Sequence, residues 1–171
     1  ILVPVVELER DIPALEAAEA VAAKFDAHAT ALIVAVHASS AFATEPAPFS
    51  AVLADMIKGA HPAAALQRAG VMAWLKRRRS AFEVRDVVAD NAVTYREALA
   101  HARLADLIFC TRQAERHPAH SALFNDFLFK SGRPMLLMPS RPARAFTWER
   151  VVIGWNAGTE AMRAVVAALP F

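Results

Sequence analysis

Hydrophobic positions along the chain form short runs that are separated by longer segments with helical spacing. The short runs predict five strands, four of them continuously apolar and one alternating, at 1–7, 30–36, 82–88, 106–110 and 134–138. The longer segments predict four intervening helices, at 8–29, 50–79, 91–104 and 121–130. Asp11 is expected to cap the first of these helices, and the second is expected to be interrupted near Gly59 and Pro62. The stretch 37–49, rich in small residues and proline, predicts a loop.

Strands that alternate with helices indicate one α/β domain with a parallel sheet covered on both faces. This three-layer α/β/α domain is assigned to residues 1–140. A proline- and arginine-rich linker follows at 141–149. At 150–171 the pattern starts again with an apolar run, a polar turn and an alanine-rich amphipathic segment. This restart predicts the first strand and helix of a second, incomplete repeat, with its remainder outside this sequence.

Composition narrows the class of protein. Apolar residues make up 56% of the chain and the mean hydropathy is +0.29, but no stretch reaches the roughly 18 apolar residues of a membrane span. The first residues carry no basic region or cleavage pattern of a signal peptide. A single cysteine excludes an internal disulfide and favours the cytoplasm, and a net charge of +2 argues against nucleic acid or an acidic membrane as partner.

Two segments resemble a known family. The motif "SGRPMLLMP" at 131–139 and the restart "VVIGWNAGTEAMRAVVAALPF" at 151–171 are similar to the universal stress protein family, in particular its tandem bacterial members. The resemblance implies the adenine nucleotide alpha hydrolase-like fold, a five-stranded parallel sheet of order 3-2-1-4-5. It also implies pairing of domains and, in many members, ATP bound at the carboxyl ends of the strands.

The residues that this family uses for ATP are replaced here. Where the family places an acid at the end of the first strand stands Val6, with Glu7 one position later. Where it places a glycine-rich segment after the fourth strand, this chain has no glycine, and its residues are Cys110, Thr111, Arg112 and Gln113. Ser121 and Ala122 stand in place of Gly-Ser, after a loop that is two residues short. Side chains in place of glycine occupy the space that a triphosphate needs, which predicts a degenerate ATP site.

A weaker anion site is the alternative at the same position. Ser121 is expected to cap the helix at 121–130, and four cationic or titratable side chains precede it: Arg112, Arg116, His117 and His120. The candidate nucleotide or anion site is therefore formed by Cys110, Thr111, Arg112, Ser121 and Ala122. The competing interpretation is a solvated basic loop that only terminates a helix.

Other candidate chemistry is limited. His117 and His120 are three residues apart but lack further ligands, so no metal site is predicted. Cys110 is interpreted as a buried apolar residue rather than a reactive thiol. The basic run 76–79 suits a helix carboxyl end, with Trp74 and Phe82 anchoring that helix to the sheet.

In the restart, Asn156 takes the place of the family's acid and Thr159 is expected to cap the helix. The chain contains no nucleophile elbow, P-loop or dinucleotide fingerprint, so no catalytic residue is assigned.

The sequence therefore predicts a non-catalytic universal stress protein-like domain that acts in stress response by pairing with a partner. The apolar strand at 134–138 is expected at a sheet edge, where it would pair with a second copy or a second domain. A weak ATP-binding switch is the first alternative and a nucleotide hydrolase is the second. No cofactor is assigned, and ATP is the one considered.

Overall fold

The computed structural model describes residues 1–36, 49–89, 96–112, 118–140 and 150–171. Its strands are β1 (Leu2–Val5), β2 (Ala29–Val36), β3 (Phe82–Ala89), β4 (Ile108–Thr111) and β5 (Met135–Met138). Within these ranges the helices are α1 (Leu8–Phe25), α2 (Phe49–Arg78), α3 (Arg96–Leu104), α4 (Pro118–Lys130) and α5 (Thr159–Ala168).

The five strands form one parallel sheet of order β3-β2-β1-β4-β5. This order confirms the predicted α/β fold with its 3-2-1-4-5 sheet. β1 lies at the centre, and the chain moves outward from it first through β2 and β3 and later through β4 and β5. The connections that leave β1 and β4 run in opposite directions, which opens a crevice at the carboxyl ends of these two strands.

Both faces of the sheet are buried under helices. Because side chains alternate along a strand, Val3 and Phe109 lie on one face, and Leu2 and Ile108 lie on the other. The first face packs against α1 and α2 through Leu15, Val71 and Trp74. The second face packs against α3 and α4 through Leu99, Leu123 and Phe127. The inner strands β1, β2 and β4 therefore require continuous apolar sequence, as their pattern indicated, whereas the edge strand β3 alternates.

The basic run at the end of α2 helps to join α2 to α1. The Arg78 guanidinium forms ion pairs with Glu16 at 3.1 Å and Glu19 at 2.7 Å. It also lies 4.9 Å from the ring centre of Trp74, which is buried as predicted. At least one cation of the run is thus engaged within the domain.

The predicted interruption of the second helix is wrong, since α2 continues from Phe49 to Arg78 with Pro62 inside it. Proline removes one helical hydrogen bond, but Val71, Trp74 and Leu75 bury this helix against the sheet, and packing outweighs the local penalty. The loop predicted at 37–49 falls, up to residue 48, outside the described residues. Among the described residues, no helix is long and apolar enough to cross a membrane.

The restart at 150–171 forms its helix but not its strand. Residues 151–156 belong to no strand, and the side chains of Val151, Val152, Ile153 and Trp155 are exposed. A strand needs a neighbour for its N–H and C=O groups, and no described segment pairs with this one. Phe171 contacts Phe25 edge to face at 5.5 Å between ring centres. The linker at 141–149 lies outside the described residues, and the division into two repeats stays a prediction.

Thr159 does not cap the last helix, contrary to the prediction. The N-cap residue of α5 is Gly158, and no side chain makes the capping hydrogen bond. Instead the Asn156 Oδ1 accepts a hydrogen bond from the Gly158 N–H at 2.9 Å, one residue before the helix begins. Asparagine commonly bonds to the backbone two residues on, and this turn precedes the helix here.

Candidate functional site

The central strands β1 and β4 pair only at their amino ends. The Leu2 N–H donates to the Leu107 carbonyl at 2.9 Å, and the one registered pair is Leu2 with Ile108. In a parallel ladder every second residue faces the same neighbour, so the next β1 residue directed at β4 is Pro4. Proline has no N–H to donate. No further pair is registered between β1 and β4 beyond Leu2 and Ile108.

The following residue directed toward β4 is Val6, and its N–H is used by a side chain. Asp11 Oδ2 accepts hydrogen bonds from the Val6 N–H at 2.9 Å and from the Glu7 N–H at 3.1 Å. The predicted cap at Asp11 is therefore wrong in its geometry, because α1 already begins at Leu8. Asp11 lies within the first turn and binds backward to the loop that joins β1 to α1.

A third N–H of this loop is also occupied. The Leu8 N–H donates to Gln67 Oε1 of α2 at 3.2 Å. Three successive backbone donors, of Val6, Glu7 and Leu8, are thus bound to side chains of the domain. In α/β folds that bind nucleotides, such donors at the start of a helix bind phosphate. At this loop they are already satisfied by a carboxylate and an amide.

A small recess of about 20 Å³, room for roughly one water molecule, lies at the carboxyl ends of β1 and β4. Its described lining consists of Pro4, Val6, Asp11, Cys110, Thr111, Leu123 and Phe124. The lining is mostly apolar, with one carboxyl, one thiol and one hydroxyl. No glycine occurs between Gly70 and Gly132, so β4 and the start of α4 present side chains to this space.

Burial shifts the pKa values of the two titratable groups in the recess, Asp11 and Cys110. Removal from water raises the pKa of the Asp11 carboxyl to about 6, while the Glu7 and Val6 N–H donors limit the rise. Burial also raises the pKa of the Cys110 thiol well above its ordinary value, and the nearby Asp11 charge adds to that shift. Cys110 is therefore a protonated, buried thiol at neutral pH, in agreement with its interpretation as an apolar residue.

The structure brings together only part of the predicted site. Cys110 and Thr111 line the recess, whereas Arg112 is exposed just beyond the end of β4. Ser121 is half-buried and Ala122 is exposed, and neither is among the described residues that line the recess. The proposed grouping of these five residues as a nucleotide or anion site stays a prediction.

Ser121 does not cap the helix that follows β4. That helix, α4, begins three residues earlier at Pro118, a residue type that suits the first turn because it has no N–H to leave unpaired. Ser121 is therefore an interior residue of α4. Of the side chains expected near an anion, Arg116, His117 and the side chain of His120 lie outside the described residues, and so does Gln113.

Val6 and Glu7, the two residues at the end of β1 that were compared with the family's acid, have different surroundings. Val6 lines the recess, but Glu7 forms an ion pair with Arg10 at 2.9 Å and is not among the described lining residues. The acid in the recess is Asp11, from the first turn of α1. In the described part of the chain, no group of three or more metal-ligating side chains occurs.

Sequence reasoning missed Pro4 and the inward position of Asp11. A signal for Pro4 was present, because proline inside a central strand is exceptional and marks a break in the ladder. For Asp11 the sequence could not distinguish a capping residue from one three positions further along a helix.

Replacing Asp11 by Asn is expected to change the pH dependence of stability. The pKa of the Asp11 carboxyl is 3.8 in the unfolded chain and about 6 in the fold. The contribution of this carboxyl to the free energy of unfolding is therefore complete below pH 4 and is lost as the pH rises through 6. Relative to Asp11→Asn, the free energy of unfolding of the wild type should fall by about 1–2 kcal/mol from pH 5 to pH 8. Urea unfolding at the two pH values measures this difference.

The matched control is Glu9→Gln, which neutralises an exposed carboxyl in the same turn of α1. Its pH profile should run parallel to that of the wild type. If Asp11→Asn also runs parallel, the carboxyl is not buried in the way described.

Comparison with known proteins finds only distant structural neighbours of this chain. No family model and no curated protein matches the chain. A universal stress protein family member from Burkholderia pseudomallei is 18% identical, with a TM-score of 0.46, covering 81% of this chain and 93% of that one. A universal stress protein solved in complex with cAMP is 16% identical, with a TM-score of 0.38, covering 82% and 97%. These solved structures that resemble the chain are members of the universal stress protein family.

Proposed function

We propose that this chain is a non-catalytic, universal stress protein-like domain of the stress response that acts by pairing with a partner and does not hold ATP in its crevice. The observation that carries the proposal is the loop after β1. Its three N–H donors are bound to Asp11 and Gln67, so none of them is left for a phosphate group.

Electrostatics point the same way. A pKa of about 6 leaves Asp11 mostly ionised at pH 7, and the recess then carries a negative charge. A triphosphate would meet repulsion from this carboxylate and steric conflict with the side chains of β4. Cys110 and Thr111 fill the positions where bare backbone would otherwise approach phosphate oxygens.

A weak ATP-binding switch is the second candidate, and the observation that favours it is the position of Arg112. Arg112 follows Thr111, which lines the recess, and its side chain is exposed. A guanidinium at this place could meet a phosphate that stays outside the crevice. A nucleotide hydrolase is the third candidate, and it requires phosphate release above background.

Calorimetric titration of ATP with the wild type and Arg112→Ala separates these candidates. We expect no binding in the micromolar range for either protein, because the described N–H donors of the loop after β1 are occupied and the recess carries a carboxylate. Arg133→Ala, which removes an exposed cation from the loop before β5, is the matched control. Micromolar binding that Arg112→Ala weakens and Arg133→Ala preserves would establish the switch instead.

Partner binding is proposed to use the free edge of β5. β5 pairs with β4 on one side only, and its residues Met135–Met138 carry no charge. Leu137 is 44% exposed on this edge. An apolar, uncharged edge strand is a template for another chain, and natural proteins protect such edges with charge or cover. The opposite edge, β3, carries Glu83, Arg85 and Asp86 and is protected in this way.

Leu137→Lys is therefore expected to weaken self-association. A lysine at a sheet edge disfavours strand pairing, and we expect the dimer dissociation constant to rise by about tenfold or more. Light scattering over a concentration series measures it. Leu66→Lys, which replaces a 76% exposed leucine on α2, should leave association unchanged. A wild type that stays monomeric at high concentration would contradict edge pairing.

A further inference from the structure

The recess at the carboxyl ends of β1 and β4 contains a buried hydroxyl without a partner. Thr111 is 6% exposed, and its Oγ1 makes no hydrogen bond within the described part of the structure. A buried hydroxyl is normally hydrogen-bonded, because it has lost its contacts with bulk water. A partner for the Thr111 hydroxyl is therefore expected in the recess itself.

Thr111 and Asp11 lie on the same side of the sheet. Phe109 packs on the face that α1 covers, and side chains two residues apart on a strand share a face. Thr111 is thus directed to the face that carries α1, and Asp11 belongs to the first turn of that helix. Both side chains line the recess, and no direct hydrogen bond joins them within the described residues. A group that bridges them must therefore fit the recess.

The size of the recess limits this group to a single water molecule. The volume of about 20 Å³ exceeds the roughly 10–15 Å³ that one buried water requires, but it does not admit an organic ligand. A buried water also needs two to four polar partners. The lining supplies the Thr111 hydroxyl and the Asp11 carboxyl, with the Cys110 thiol as a weak third partner.

The Asp11 carboxyl retains acceptor capacity for such a water. Its Oδ2 accepts the Val6 and Glu7 N–H groups, while a carboxylate offers about four acceptor positions over two oxygens. A metal ion is disfavoured at the same place, because metal sites take more ligands than this lining supplies and the described chain contains no group of three metal-ligating side chains.

We propose that the recess is a binding site for one buried water molecule, which donates to the Asp11 carboxylate and accepts from the Thr111 hydroxyl. Thr111 is then a positioning residue, because through this water it holds the Asp11 carboxylate against the Val6 and Glu7 N–H donors. The water joins β4 to the start of α1, on the carboxyl side of the registered pair of β1 and β4. This inference goes beyond the proposed function and holds whether or not the chain binds ATP or a partner.

A high-resolution crystal structure tests the water site directly. The wild type should show one water within about 2.7–3.0 Å of both Thr111 Oγ1 and an oxygen of the Asp11 carboxyl. The structure of Thr111→Val should lack this water, because a methyl group replaces the hydroxyl that binds it. A wild-type recess without the water, or a water that stays in place in Thr111→Val, contradicts the proposal.

The pH titration of the Val6 and Glu7 amides tests the positioning role. Both amides donate to Asp11 Oδ2, so their ¹H–¹⁵N shifts follow the ionisation of this carboxyl, whose pKa burial raises to about 6. A water that donates to the carboxylate favours its ionised form. Thr111→Val should therefore move the titration midpoint upward by about 0.5 pH or more.

The other charges that act on this carboxyl do not change in the variant. Besides burial and the two N–H donors, the Glu7 charge raises the pKa of Asp11 and the Arg10 charge lowers it. Cys110 of β4 stays protonated, because burial raises the pKa of its thiol. The described lining residues of α4 are apolar. A moved midpoint thus reports on the hydroxyl and its water.

Two further variants make the titration specific. Thr111→Ser keeps the hydroxyl and should keep the wild-type midpoint. Thr30→Val, which alters a buried threonine at the amino end of β2, should also leave the midpoint unchanged. If Thr111→Val titrates like these two variants, no water links the Thr111 hydroxyl to the carboxylate, and the assignment is overturned.

Discussion

The candidate site depends on one missing hydrogen bond at the centre of the sheet. Pro4 occupies the β1 position that would donate to β4, and proline has no N–H. The next donor in that direction, the Val6 N–H, is bound to Asp11 instead. The two central strands register one pair, Leu2 with Ile108, and the recess is lined by residues near the carboxyl ends of both strands.

The same arrangement determines what the recess can accept. Asp11 holds the loop between β1 and α1 in place by using the donors that a phosphate group would need. It also adds a buried carboxyl to a mostly apolar space. The structural role and the chemical character of the site thus come from one side chain, and both disfavour polyanions. The crevice position is general to α/β folds, while its contents are particular to this chain.

Sequence reasoning predicted the architecture because the pattern of apolar runs is set by burial on both faces of the sheet. The strand order and the exposed edge at Leu137 agree with the resemblance to universal stress proteins. The site was less predictable, since it depends on the direction of single groups. The position of an Asp11 that caps α1 and that of an Asp11 that binds backward to the preceding loop differ by less than one helical turn. Ser121 was predicted at the wrong place in its helix because α4 begins three residues before its apolar pattern does.

The nucleotide content of the purified protein tests the central claim most directly. Protein isolated without added ligand is denatured, and the released small molecules are measured by mass spectrometry against the protein concentration. A crevice in which the described N–H donors of the loop after β1 are occupied, and which holds a buried carboxylate, should release no adenine nucleotide in a stoichiometric amount. One ATP or ADP per chain would contradict the account.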